Sequence, residues 1–477
     1  MEGIEQLLSG SPEFQRIKHA VEKHATPVLV TGLSGVHKAH MIVSVTSQLD
    51  KRGLVLVHDE ANAMRICEDI NIMAGDGTAV LFPSREATFL EVEGVSREYE
   101  HARLNVLGRL ASGDVKIVVA SAAAALQHTM PPKVLAARTR TLIAGESYDI
   151  AQLVKFLVGA GYSRCDQVDG VCQFAQRGGI LDFFPPHMPN PFRVEFWGDE
   201  IDTISTFKLD TQRREDTVKS VDITPAAEVV ADSPEKLIKL LEDSMKSLRG
   251  TQGKLAKEKL TDAIEKIKDG LMPKSLDRWM PLLYPEPAVI FDYMPNSVFF
   301  FCDPANCRET LKSVQIQSND DIKLLLEEGV LFKGCDRFSG DFVDLQTYAA
   351  KSNTVLLDTF SRSVGDIPLR DLVNINAIQL SSWSGEFALL LEDIRSYMQN
   401  GYCVVVFAGT KRSAAAIADD LCKEDIHAVE TDKIGKCVPG LVYVIGSSMS
   451  AGMEYPSLKL ALISQAKPVS QRTRRKP

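Results

Sequence analysis

The sequence predicts an α/β protein: a P-loop-like domain on a parallel sheet, interrupted by an inserted α+β domain and followed by a small α/β domain. Three observations predict it. Short apolar runs alternate with helical spacings over the first 127 residues. Aromatic and β-branched residues, broken by Gly-Gly and Pro, crowd the stretch from 174 to 207. Helix–strand alternation then returns after residue 370. A chain of 477 residues is long enough for about three domains. Its 45% hydrophobic and 25% charged residues match a globular protein in water. No run of about 18 apolar residues occurs, so no membrane partner is expected. The start, MEGIEQLLSG, lacks the basic and apolar segments of a secretion signal, which predicts a cytoplasmic location. A net charge of -9 argues against a protein whose main task is coating nucleic acid.

Four apolar runs, 28–31, 54–58, 79–82 and 115–120, read as buried strands, with helices such as 98–110 between them. In 192–196 the alternation is strict, and Gly198-Asp199 turns the chain into 201–207, which predicts antiparallel hairpins. Helix returns over 234–270, interrupted at Gly250 and Gly253, and two further strands are expected at 288–291 and 297–302. In the third unit Phe387, Leu390, Leu391, Ile394, Tyr397 and Met398 keep helical spacing, with Ser384 as cap and Gly401 as stop. A strand at 403–407, a helix at 413–422 and a strand at 441–445 follow. The basic tail 471–477 reads as a solvated linker. Nine cysteines carry no C-x-x-C pair, and Cys302/Cys307 has no second half at zinc spacing, so free thiols and no metal are expected.

The segment Thr31-Gly32-Leu33-Ser34-Gly35-Val36-His37-Lys38-Ala39 stands where a phosphate loop would. The working pattern, G-x-x-x-x-G-K-[ST], needs a second glycine for close backbone approach, a lysine for the phosphates and a hydroxyl for magnesium. Gly32 and Lys38 are in place, but His37 replaces the glycine and Ala39 the hydroxyl. Ala288-Val289-Ile290-Phe291-Asp292-Tyr293 reads as a strand ending in the acidic partner Asp292, with Tyr293 where many ATPases carry a glutamate. Losses at His37, Ala39 and Tyr293 predict a nucleotide site without hydrolysis. An active helicase-like ATPase remains the alternative, as does a damage-binding protein with an inserting hairpin.

Gly161-Tyr162-Ser163-Arg164, Phe174-Ala175-Gln176-Arg177-Gly178-Gly179-Ile180-Leu181-Asp182-Phe183-Phe184-Pro185, Phe196-Trp197-Gly198-Asp199-Glu200-Ile201-Asp202 and Asp210-Thr211-Gln212-Arg213 form one ordered set. Together they resemble the domain shared by the excision-repair protein UvrB and the bacterial transcription-repair coupling factors (Mfd). Residues 97–127, 407–413 and 452–457 are similar to the coupling factors. The 82–99 interval, with only Phe89 and Tyr99 aromatic after Phe82, is short for UvrB's tyrosine-rich hairpin.

The resemblance implies a UvrB-like domain 1a at 1–127 and an inserted UvrA-binding domain 2 at 128–210. Domain 1b would span 211–345, a small α/β domain 3 would span 346–465, and 466–477 would be a basic linker. It further implies UvrA as partner, contacted by Arg164, Arg177 and Phe184. The family's polymerase-binding domain and ATP-driven translocase have no counterpart in these residues. ATP, magnesium, RNA polymerase and double-stranded DNA are therefore expected of that other half, and this chain is expected to be non-catalytic and to need no cofactor.

Overall fold

The protein, seen as a computed structural model, is described for residues 3–85, 89, 97–273, 275–361, 367–435 and 437–465. Most of the 82–99 interval and the basic tail lie outside the described residues. No helix among those described is long and apolar enough to cross a membrane.

The first strands are β1 (Val28–Thr31), β2 (Gly53–Val57), β3 (Ala79–Phe82) and β4 (Ile117–Ser121). The insert supplies β5 (Arg140–Ile143), β6 (Ser163–Arg164), β7 (Gln173–Arg177), β8 (Ile180–Phe183), β9 (Phe192–Trp197), β10 (Glu200–Phe207), β11 (Arg214–Val218) and β12 (Ser220–Ile223). Three strands return to the body: β13 (Val298–Cys302), β14 (Asn353–Leu357) and β15 (Asp371–Asn374). The last unit holds β16 (Ile378–Leu380), β17 (Cys403–Phe407), β18 (Ala428–Glu430), β19 (Val442–Ile445), β20 (Gly452–Tyr455) and β21 (Leu460–Ser464).

The body is a seven-stranded sheet in the order β15-β1-β14-β13-β2-β4-β3, all pairs parallel. Its strands are continuous apolar runs because both faces are covered. Leu29, Leu54, Val118 and Phe301 feed one core, and Val30, Val55, Val119 and Phe300 the other. That second core continues into the small unit, where Val405, Phe407, Tyr443 and Leu462 join it. The opposite face of the small sheet, with Val404, Val406 and Val444, packs on residues of the helices Phe387–Gln399 and Lys411–Lys423.

Four sequence expectations need correction. β14 and β15 belong to the body rather than to a third unit starting at 346, because β1 pairs with one on each side; without them a fully buried strand would be an open edge. The insert runs from about β5 to Ala226 rather than 128–210. Met130 and Leu135 pack in the body, while β12 pairs antiparallel with β5 and closes the insert's base. The expected strand at 288–291 is instead a tight turn leading into the 3-10 helix Ile290–Tyr293. Pro285, Pro287 and Pro295 bracket it and leave too little chain for a ladder. Finally, Cys403 and Cys437 are not free: a disulfide joins them, with Cα atoms 6.0 Å apart.

The chain leaving the insert is anchored in the body by buried charge. Arg103, in the helix Glu98–Ser112, is fully enclosed and donates to both carboxylate oxygens of Glu228, with Nε–Oε2 at 3.1 Å and Nη2–Oε1 at 3.0 Å. Its Nη1 donates to Pro83 O and Gln127 Oε1. Arg85 pairs with Glu228 at 3.0 Å and with Asp277 at 2.9 Å. Glu228 follows the insert's return, and its own N–H donates to Glu100 Oε1 at 2.8 Å. Nearby, Asn105 Nδ2 donates to Pro186 O, and a Cβ on Gly108 would lie 2.6 Å from His187 Cβ. Burial drives the Glu228 carboxyl up, but the Arg103 and Arg85 guanidiniums outweigh it and hold it below the usual range.

Removing Glu228 leaves the buried Arg103 guanidinium without its paired carboxylate, while Arg85 keeps Asp277. Glu228→Ala is expected to lower the free energy of unfolding by about 3–5 kcal/mol in urea denaturation.

Candidate functional site

Two places were marked by the sequence: the phosphate-loop position and the surface of the insert.

At the first, β1 ends at Thr31 and the helix Gly35–Gln48 begins four residues on, as a phosphate loop requires. Gly32 takes φ 87°, and a Cβ there would lie 2.0 Å from Ile375 O, so the chain leaving β15 presses on the loop. Two of the loop's amides are spent on the protein itself. Gly32 N–H donates to Thr359 O at 3.2 Å and Leu33 N–H to Asp358 O at 3.3 Å. His37 is fully buried, 2.6 Å from Ser34 Oγ through Nδ1, with its ring edge-on to Tyr455 of the small unit. Ala39 is buried in the shared core and offers no ligand.

Lys38 is buried too, and its Nζ donates to Asp303 Oδ2 at 2.6 Å. Asp303 follows β13 in a left-handed conformation, φ 48°, which turns the chain into the helix Pro304–Glu327. The acidic partner of the loop lysine is therefore Asp303, which sequence reasoning missed. Its signal was available: five apolar residues, then Asp and a Pro at a helix start. Asp292, the expected partner, accepts from Val289 N–H at 2.8 Å within its own turn. Tyr293 is buried and donates to Met130 O at 2.7 Å.

One turn beyond His37, His40 Nε2 lies 2.8 Å from Ile4 O, so that nitrogen carries the proton. Nδ1 then accepts from Tyr455 Oη at 3.1 Å. Burial drives the pKa of both imidazoles down to about 4, with each other's charge adding to the effect at His37. Ser450 N–H and Oγ donate to Asp69, adding a second polar tie between the small unit and the body.

On the insert, β6 to β11 form one sheet, antiparallel except for the β6–β7 pair. Phe174, Leu181, Phe183, Val194 and Ile204 point to the core beneath the helix Ile150–Gly159. Alternation sends Arg177, Ile180, Glu195 and Trp197 to the other face. Register sets Arg177 beside Ile180 and Ile180 beside Glu195, with Trp197 two residues on. Trp197, at the tip of the β9–β10 hairpin, is 86% exposed. Arg177 is half-exposed and donates to Asp182 Oδ2 at 2.7 Å. Asp182 is fully buried and also takes two bonds from Arg193, whose guanidinium lies 4.8 Å from the Phe207 ring centre. Arg177 is thereby braced with one edge left free.

The three residues expected to act as one patch are not brought together. Arg164 is exposed on the edge strand β6, in register with Phe174, about 10 Å along β7 from Arg177. Phe184 is not a surface anchor. It packs on Val168, Ala175 and Phe207, with Val171 and Leu209 against the cluster, so the adjoining loops roof that half of the face. Trp197 is the exposed aromatic residue, and a flanking Gly-Asp turn in an alternating strand was the signal for it.

Comparison with known proteins bears on this second place. The model of the UvrB interaction domain matches residues 141–228. The transcription-repair-coupling factor of Bacillus subtilis (strain 168) is 28% identical over all of this chain and 41% of its own length. Those of Staphylococcus aureus (strain MRSA252) and Staphylococcus epidermidis (strain ATCC 12228) are 25% and 24% identical, over 96% and 97% of this chain. The chain is a relative of the coupling factors. It spans about two fifths of the length of the curated relatives it matches.

The two low imidazole pKa values set a pH dependence. Both rings are neutral in the folded state and take up protons near 6.5 when unfolded, so the unfolded chain holds more protons between pH 6.5 and 4. Stability is thus complete above pH 6.5 and falls toward pH 4, by up to about 3 kcal/mol per ring. Denaturation at stepped pH checks this, and a His37→Gln/His40→Gln variant is expected to have a shallower slope in that window.

Proposed function

We propose that this chain recruits the excision-repair protein UvrA through the open half of its insert sheet, as the UvrB-like part of a transcription-repair coupling factor. The observation that carries the reading is the coincidence of the UvrB interaction domain match with the module bearing Arg177, Ile180 and Trp197. A guanidinium fixed by a buried carboxylate and beside a bare indole suits a protein partner that offers carboxylates and a cleft for a ring. Arg164 extends the contact along the β6 edge. In this reading RNA polymerase and double-stranded DNA are engaged by the rest of a coupling factor.

The phosphate-loop region serves as scaffold and does not turn over ATP. Supporting this, Lys38 is committed to Asp303, the Gly32 and Leu33 amides to carbonyls, and His37 to the small unit. A nucleotide phosphate reaching Lys38 would have to separate a buried ion pair. The chain therefore needs neither ATP nor magnesium of its own.

Pull-down with purified UvrA tests the recruitment. The wild-type chain is expected to retain it, and Arg177→Ala/Trp197→Ala to weaken binding by more than about tenfold. Phe184→Ala is instead expected to cost about 3 kcal/mol of insert stability. Undiminished binding by the Arg177/Trp197 variant counts against the proposed face. Equilibrium binding of a labelled ATP analogue and a phosphate-release assay are expected to be blank; saturable binding lost in Lys38→Met would overturn the scaffold reading.

A further inference from the structure

In the small unit β17 stands between β21 and β19, and all three run parallel. From β17 the chain passes through the helix Lys411–Lys423 to β18 and β19 on one side, then returns as β20 and β21 on the other. Connections that diverge in this way open a crevice at the carboxyl ends of the strands, where open parallel sheets hold ligands.

The crevice has a built character. At its floor Gly409 takes φ 84° and its N–H donates to Ser447 O at 2.9 Å. Thr410 then caps a 13-residue helix, accepting from Ser413 N–H at 3.1 Å. Gly446 lets the next loop lie against the first turn, since a Cβ there would be 2.7 Å from Lys411 N. A Cβ on Gly409 would lie 3.6 Å from Ser448 Oγ and 3.0 Å from Gln465 Oε1, so both side chains face the loop before the helix. The hydroxyls of Ser447 and Ser448 are enclosed and lack a partner among the described residues, and Ser448 is only 9% exposed. Enclosed hydroxyls without an acceptor are costly, and a ligand oxygen at the loop before the helix would relieve Ser448.

The charges agree. A helix start favours an anion, and Lys411 and Arg412 are exposed in its first turn. Lys411 pairs with Asp432 at 2.9 Å, but both are largely exposed, and such a pair exchanges easily. Asp432 therefore competes for Lys411, which leaves Arg412 and the Ser448 hydroxyl as the main recognition groups.

We propose that this crevice takes a phosphate group, held at the helix start by the Ser448 hydroxyl and Arg412. The proposal stands apart from UvrA recruitment and uses none of its residues. Two probes separate the sources of such a group. Inorganic phosphate is titrated calorimetrically into the whole chain, and a fluorescent single-stranded oligonucleotide is followed by anisotropy at low salt. Ser448→Ala and Arg412→Gln are each expected to weaken binding about fivefold or more, while Arg395→Gln, on another helix of the same unit, leaves it unchanged. Loss of oligonucleotide binding in the two variants identifies a nucleic-acid backbone, and loss of phosphate binding alone identifies a free anion. No binding of either probe, or binding indifferent to both variants, overturns the proposal.

Discussion

The return of the chain from the insert to the body depends on one enclosed cluster of charge. Glu228 has no exposed surface, and neither does Arg103; Arg85 and Asp277 nearly match them. Each guanidinium and carboxylate in such a place must keep its partners, because bare charge in the interior costs several kcal/mol. The cluster draws on four separate stretches of chain: the loop after β3, the helix Glu98–Ser112, the insert's return and the turn at Asp277. Glu228 lies two residues past Ala226, so the cluster fixes the point at which the chain leaving the insert re-enters the body.

The phosphate-loop region follows the same logic on a smaller scale. In a working site the loop's donors wait for a ligand. Here the Gly32 and Leu33 amides and the Lys38 ammonium have protein acceptors. Lys38 meets Asp303 across the sheet, and the two histidines meet a tyrosine from another unit. His37, which departs from the phosphate-loop pattern, also joins the small unit to the body through Tyr455.

Much of the fold was legible because it is local. The apolar runs of β1 to β4 and the hairpin signal at Gly198-Asp199 need only neighbours in sequence. The missing glycine and hydroxyl at 37 and 39 could be read the same way. What was not legible depends on distant chain. Asp303 carries a local signal in the apolar run before it and the Pro after it, but its partner is a lysine 265 residues away, and no local pattern names that pairing. Phe184 alternates as an outward residue should, and it is buried only because the loops carrying Val168 and Leu209 fold over it. β14 and β15 look like the start of a new unit until β1 is seen to need a neighbour on each side.

The chain has three tryptophans, and they occupy unlike surroundings. Trp279 is sealed in the body, Trp383 is half-covered in the small unit, and Trp197 stands almost bare at a hairpin tip. An indole in water emits at longer wavelength than one in a dry interior, and collisional quenchers reach it first. The red edge of the protein's intrinsic emission therefore belongs chiefly to one side chain, which makes the molecule its own optical gauge of whether that hairpin is covered.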